Sequence, residues 1–130
     1  TNVSGFPLTY RFTWEGGNRV THIDVPLGEP QLTLWIHVTR DATVHSDGDP
    51  EEVVRELVDV DLRDRLAAEY PVTVSMTAGR LRLAKPQWIE APGAVAHLAG
   101  LAADLAERIG EALVRVSARG AAEGSPYRGR

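Results

Sequence analysis

The stretch that decides the fold is residues 32–39, Leu-Thr-Leu-Trp-Ile-His-Val-Thr. Aliphatic side chains occupy every second position, with Thr, Trp and His between them. Because successive side chains of a β-strand point to opposite faces, this alternation predicts a strand with one apolar face. The opposite face carries Trp35, which predicts partial cover there rather than full exposure to solvent.

The same period of two appears on both sides of this strand. Residues 8–14 and 19–25 alternate around a Gly-Gly turn, and residues 72–83 alternate around an Ala-Gly turn. Each pattern is typical of a β-hairpin. Residues 43–45 extend the sheet only briefly, because the Ser-Asp-Gly sequence at 46–48 is typical of a turn.

Helical patterning begins where these strands are interrupted. Asp49 as the cap and Pro50 in the first turn predict a short helix. A second short helix is expected over residues 62–69, with Asp61 as its cap. The longest element runs from Ala94 to about Ser117, where apolar residues recur at three- and four-residue steps.

This order predicts an α+β fold, a two-layer sandwich of about five mostly antiparallel strands. The hairpin, strand, two short helices and second hairpin are covered by the long C-terminal helix. The 130 residues fit one domain, which we place at residues 1–117. Residues 118–130 have no apolar period and predict a flexible tail.

The composition argues against several functions. With 14 Lys+Arg against 18 Asp+Glu, the net charge of −4 argues against nucleic acid as the main partner. The absence of Cys excludes a disulfide framework, a thiolate zinc site and a cysteine nucleophile. Nucleophile-elbow, phosphate-loop and dinucleotide motifs are also absent, so the sequence predicts no cofactor.

No stretch approaches the roughly 20 apolar residues that cross a bilayer, and Thr1 does not open a leader pattern. We therefore expect a cytoplasmic protein, or the soluble part of a membrane-anchored one. In the second case, membrane contact would come only through segments outside this chain.

Acidic residues concentrate between positions 41 and 70, a segment that contains ten of them and three arginines. Such a run is typical of a solvated helix surface, and it is also compatible with an acidic surface that meets a basic protein. A protein partner is therefore expected, and a homo-oligomer is left open. The candidate partner-binding residues are Trp35, His37, Glu51, Glu52 and Glu56.

Two alternatives concern other side chains. His22 and Asp24 share one strand face, and His37 on a strand expected to be adjacent could join them around a divalent metal. That arrangement would suit a metal-dependent enzyme, whereas solvated outer-face side chains are the simpler interpretation. Trp14 and Trp88 are interpreted as core, or as the lining of a pocket for an apolar ligand or peptide.

A basic group lies on the second hairpin, at Arg80, Arg82 and Lys85. Without interleaved aromatic residues it is a weak indication of nucleic-acid binding. We interpret it instead as an exposed strand whose charges prevent edge-to-edge association of sheets.

The run Asp-Pro-Glu-Glu-Val-Val-Arg-Glu-Leu-Val at 49–58, followed by Leu-Arg-Asp-Arg-Leu at 62–66, resembles an uncharacterised bacterial, actinobacterial-type domain family. In that family a Gly-Arg-Leu turn, here 79–81, precedes a final helix similar to residues 98–109. The resemblance covers about residues 8–115. It implies the same layout, in proteins that are often membrane-anchored, and it carries over no activity and no residue role.

The layout is also similar to small secretion-chaperone-like and peptide-binding regulatory domains. Those domains usually begin with a helix, which this sequence does not show. The prediction from the sequence is therefore a non-enzymatic interaction or accessory domain, with ligand or peptide binding as the alternative.

Overall fold

The structure, a computed structural model, describes residues 2–3, 5–28 and 32–128. The strands in this part of the chain are β1 (Asn2–Val3), β2 (Phe6–Pro7), β3 (Thr9–Glu15), β4 (Asn18–Pro26), β5 (Thr33–Val38), β6 (Val44–Asp49), β7 (Thr73–Thr77) and β8 (Arg80–Lys85). The helices are α1 (Glu51–Leu57), α2 (Val60–Ala68) and α3 (Pro92–Arg128).

Six strands form one sheet in the order β3-β4-β8-β7-β5-β6, and every neighbouring pair is antiparallel. β1 and β2 pair separately. The long helix α3 packs on the sheet, so the predicted α+β class is confirmed. The second hairpin, β7–β8, lies in the middle of the sheet, because β8 inserts beside β4.

The dry layer between sheet and helices comes from the two periodicities seen in the sequence. Alternate residues of the strands and one stripe of α3 are buried together, which removes apolar surface from water at about 25 cal/mol per Å². The largest fully buried side chains are Ile23, Ile36, Leu57, Leu62, Leu66, Met76, Leu81, Leu83, Leu98, Leu101, Leu105 and Ile109.

Residues 46–48 lie within strand β6, so the predicted turn at this point is wrong. The chain reverses earlier, where Thr39 N–H donates to the Thr43 carbonyl over 2.9 Å. Gly48 is opposite Leu34 and lets β6 lie close to β5, since a Cβ at this position would stand 2.2 Å from the Thr33 carbonyl oxygen. The glycine therefore serves a close strand contact.

The two predicted helix caps are also wrong. Asp49 is the last residue of β6 and pairs with Thr33, so α1 begins after Pro50 with no side-chain cap. Strand pairing has here overridden a local capping signal. In α2 the cap is Asp59, whose Oδ1 accepts from the Leu62 N–H over 2.9 Å, and Asp61 lies in the first turn.

Helix α3 is longer than predicted and continues to Arg128. Arg119, beyond the predicted end, donates to Glu56 of α1 over 3.0 Å, and this contact supports the additional turn. The flexibility expected of residues 118–130 stays a prediction, and Gly129 and Arg130 lie outside the described residues.

Candidate functional site

The sheet has a second face, opposite the layer that packs against the helices, which we call the open face. Its members are the residues that alternate with the core positions of each strand. Across four strands the register places Arg82, Ser75, Trp35 and Asp47 in one row.

Trp35 is the most prominent side chain of the open face. It is 47% exposed, and its ring stacks on His37 with centroids 5.4 Å apart and planes 15° from parallel. The partial cover predicted for Trp35 is thereby confirmed. Because β6 and β7 flank β5 on both sides, the backbone beneath this ring is held in place.

A partly buried ion-pair network occupies the same face. Asp24 is only 7% exposed. Its Oδ1 accepts from Arg82 Nε over 2.8 Å, and its Oδ2 accepts from Arg11 Nε over 3.3 Å. Burial alone raises the pKa of Asp24, but the hydrogen bonds and charges of Arg82 and Arg11 outweigh it and lower the pKa below its ordinary value of 3.8.

This network makes stability depend on pH in the acid range. Since the folded-state pKa of Asp24 is lowered, its stabilisation is present above pH 3.8 and is lost as the pH falls through the folded value. We expect Asp24→Asn to lower the free energy of unfolding at pH 7 by about 1–3 kcal/mol. The free energy of unfolding, measured with urea between pH 7 and pH 2, should fall less steeply with acid in the variant than in wild type. Parallel curves of this free energy against pH would contradict this role.

Next to the network lies a polar cavity of about 300 Å³ at the β7–β8 turn. We call it the basic cup and define it by Ser75, Thr77, Arg80 and Arg82. Asp24 fixes the Arg82 guanidinium through an ion pair, while Arg80 is exposed and forms no ion pair with any described residue. Two guanidinium groups beside two hydroxyls are suited to a carboxylate or another oxyanion.

The structure corrects the interpretation of this basic group as a sheet edge. β8 is an interior strand, so Arg80 and Arg82 do not guard an exposed edge. Lys85 points elsewhere: it is 9% exposed and its Nζ lies 3.4 Å from Glu69 Oε1. The hairpin's local pattern contained no information about which strands would flank it.

The proposed approach of His37 to His22 and Asp24 is wrong. β8 and β7 separate their strands, which places His37 about 14 Å from His22 across the sheet. His22 is buried, and its Nε2 lies 2.6 Å from Glu15 Oε2, while its Nδ1 has no hydrogen-bond partner in the described part of the chain. Among the described residues, no three carboxylate or imidazole groups are close enough to share a metal ion.

Part of the acidic run predicted from the sequence is compensated within the molecule. Glu56 accepts from Arg115 and Arg119 over 2.9 and 3.0 Å, and these hydrogen bonds lower its pKa. Arg108 likewise contacts Asp61 and Asp104. Glu56 is therefore engaged within the fold, whereas Glu51 and Glu52 remain exposed on α1.

Trp14 and Trp88 do not belong to the core. Trp14 is 61% exposed and Phe12 48%, and their rings lie 5.2 and 6.1 Å from that of Trp88. The Arg19 guanidinium lies 4.9 Å from the Trp88 ring. We call Phe12, Trp14 and Trp88 the aromatic cluster. Phe12 and Trp14 belong to β3, so the cluster lies at the end of the sheet. It is on the face that packs against the helices.

An apolar groove lies elsewhere, between β2 and α3. It has a volume of about 760 Å³, and its walls include Phe6, Leu27, Ile109 and Val114. The residues that line this groove do not include Trp14 or Trp88. Binding of an apolar ligand or peptide stays a prediction.

The fold and this face define a two-layer α+β domain with one covered and one open sheet surface. Comparison with protein-family models, curated proteins and solved structures finds no match for the chain. In the part of the chain that the structure describes, no helix has the length and apolar character needed to cross a membrane.

Proposed function

We propose that this protein is a non-enzymatic interaction domain that binds a protein partner through the open face of its sheet. The observation that carries the proposal is Trp35, a half-exposed indole that stacks on His37 in an interior strand. Trp is the residue most enriched among side chains that dominate binding energy at protein interfaces.

The surroundings of Trp35 favour tight contact at low entropic cost. Its stacked ring and its paired strand limit the motion that binding would otherwise have to suppress. Small polar side chains flank it on β7, where Ser75 is directly opposite. His37 covers one face of the indole, and a partner side chain can pack on the exposed remainder without displacing a bulky neighbour on β7.

The basic cup supplies the charged part of the same surface. Arg82 lies two strands from Trp35, about 10 Å across the sheet, with Ser75 between them. We therefore expect the partner to present an acidic side chain to the cup and an apolar one to Trp35. A part for Glu51 and Glu52 in partner binding stays a prediction.

The test is quantitative capture from lysate of the source cells, with wild-type, Trp35→Ala, Trp35→Phe and Val114→Ala proteins as baits. For a partner that binds the open face, Trp35→Ala should weaken the affinity about 30-fold, because truncation of a central Trp costs about 2 kcal/mol of binding free energy. Binding should be partly kept with Trp35→Phe. It should be fully kept with Val114→Ala, because the Val114 side chain is exposed on α3.

The charged part of the proposal has its own variant. With the identified partner, Arg80→Glu should slow association and weaken its dependence on salt, because a steering charge has been reversed. A partner that binds wild-type and Trp35→Ala proteins equally would overturn the proposal.

A further inference from the structure

Strand β3 ends the sheet and leaves one backbone edge unpaired among the described residues. It is seven residues long and contains neither Pro nor Lys. Such an edge exposes a row of N–H and C=O groups, which readily pair with another strand unless the sequence protects them. The groups on the free edge belong to Tyr10, Phe12 and Trp14, because those of Thr13 face β4 in the β3–β4 register.

The opposite edge, β6, is protected. His45, Asp47 and Asp49 are exposed along it, and α1 and α2 both contact the strand. Charged side chains and covering helices are the usual means of preventing edge association. Both edges carry charged side chains, which on β3 are Arg11 and Glu15, but the contacts with α1 and α2 belong to β6.

The aromatic cluster marks the β3 edge. Phe12 and Trp14 alternate along β3 on one face and leave about half of their surfaces exposed. Exposed apolar surface of this kind, next to a free strand edge, is typical of an association site. Trp88, in the segment between β8 and α3, packs against both rings, so the cluster is already assembled in a single copy.

We infer that β3 pairs antiparallel with β3 of a second copy of this chain, with Thr13 at the two-fold axis. In this register Phe12 is directly opposite Trp14 of the second copy, and Arg11 is opposite its Glu15. Directly opposed side chains in antiparallel strands have Cβ atoms about 4.5–5.5 Å apart, and both aromatic and opposite-charge pairs stabilise them. Each contact occurs twice.

The charges fit this pairing. Arg11 and Glu15 lie on the open face, with side chains 41% and 55% exposed. The Arg11 guanidinium contacts Asp24 through Nε, and Glu15 contacts Thr13 and His22 through Oε2. The terminal nitrogens of Arg11 can therefore meet Oε1 of Glu15 from the second copy. The dimer thus joins two six-stranded sheets into one, with both helical layers on the same side.

Cysteine cross-linking tests the register, because the chain has no Cys of its own. Across an antiparallel pair, Cα atoms lie about 4.5–5.5 Å apart, which suits a disulfide. Under mild oxidation Thr13→Cys should become a covalent dimer. Thr9→Cys, about 25 Å from its own copy, and His45→Cys, on the other edge, should stay monomeric.

Sedimentation equilibrium tests the dimer itself. Wild type should show a concentration-dependent dimer, and Trp14→Lys should raise its dissociation constant at least tenfold. Val114→Lys on exposed α3 surface and Trp35→Ala on the open face should leave that constant unchanged. A monomer at all concentrations, equal cross-linking of the three Cys variants, or a Trp14→Lys dimer of wild-type strength would each overturn the inference.

Discussion

Replacement of Gly48 by Ala is expected to destabilise the protein by about 3 kcal/mol, the upper range for overpacking in a closed site. The added Cβ would stand 2.2 Å from the Thr33 carbonyl oxygen and 2.9 Å from Val54 Cγ2. The nearer atom belongs to the backbone of β5, which pairs with both β6 and β7 and cannot move aside. Either the β5–β6 pairing breaks or α1 shifts.

Urea unfolding at neutral pH, followed by circular dichroism, measures this effect. The matched control is Gly110→Ala in α3, where nothing lies within 4 Å of the added Cβ. Removing a glycine from a helix interior should stabilise the protein by about 0.5–1 kcal/mol. The two Gly→Ala changes should therefore have opposite signs, and a Gly48→Ala midpoint equal to wild type would show that β6 does not approach β5 in this way.

Replacement of Leu105 by Ala should cost about 2–5 kcal/mol. Leu105 is fully buried in the stripe of α3 that faces the sheet, so the change removes apolar contacts and leaves a cavity. The size of the loss depends on how far the surrounding side chains can relax into the space.

Val114→Ala is the control on the same helix, because its side chain is 69% exposed. It should change the free energy of unfolding by less than about 0.5 kcal/mol. If Leu105→Ala were as mild as Val114→Ala, α3 could not be the layer that closes the core.

Much of the fold was predictable from local patterns. The alternation in residues 32–39 predicted both the strand and the partly covered indole of Trp35. The stripe that contains Leu105 predicted the buried face of α3. Both predictions use periods that the backbone imposes within a few residues, so they need no knowledge of the rest of the chain.

The predictions that were wrong each depended on a distant neighbour. Asp49 is a residue type favoured at helix caps, but its pairing with Thr33 places it in β6. Trp14 alternates like a core residue, yet β3 lies at the sheet end and leaves it 61% exposed. The part of Glu56 in partner binding stays a prediction, and its contacts with arginines about 60 positions later could not be read from the local pattern either.

The candidate site divides in the same way. The presence of Trp35 and His37 on one strand face follows from sequence spacing alone. That Arg82 and Ser75 join them, and that His22 does not, follows from the strand order β3-β4-β8-β7-β5-β6.

By itself, the sequence determined which side chains share a face, because the repeat of an extended or helical backbone is a local property. Only the tertiary structure decided which faces meet, which hairpin occupies the centre and which strand is left at the edge. Those choices depend on hydrogen bonds and packing between segments far apart along the chain, where a local pattern carries no information about its eventual neighbour.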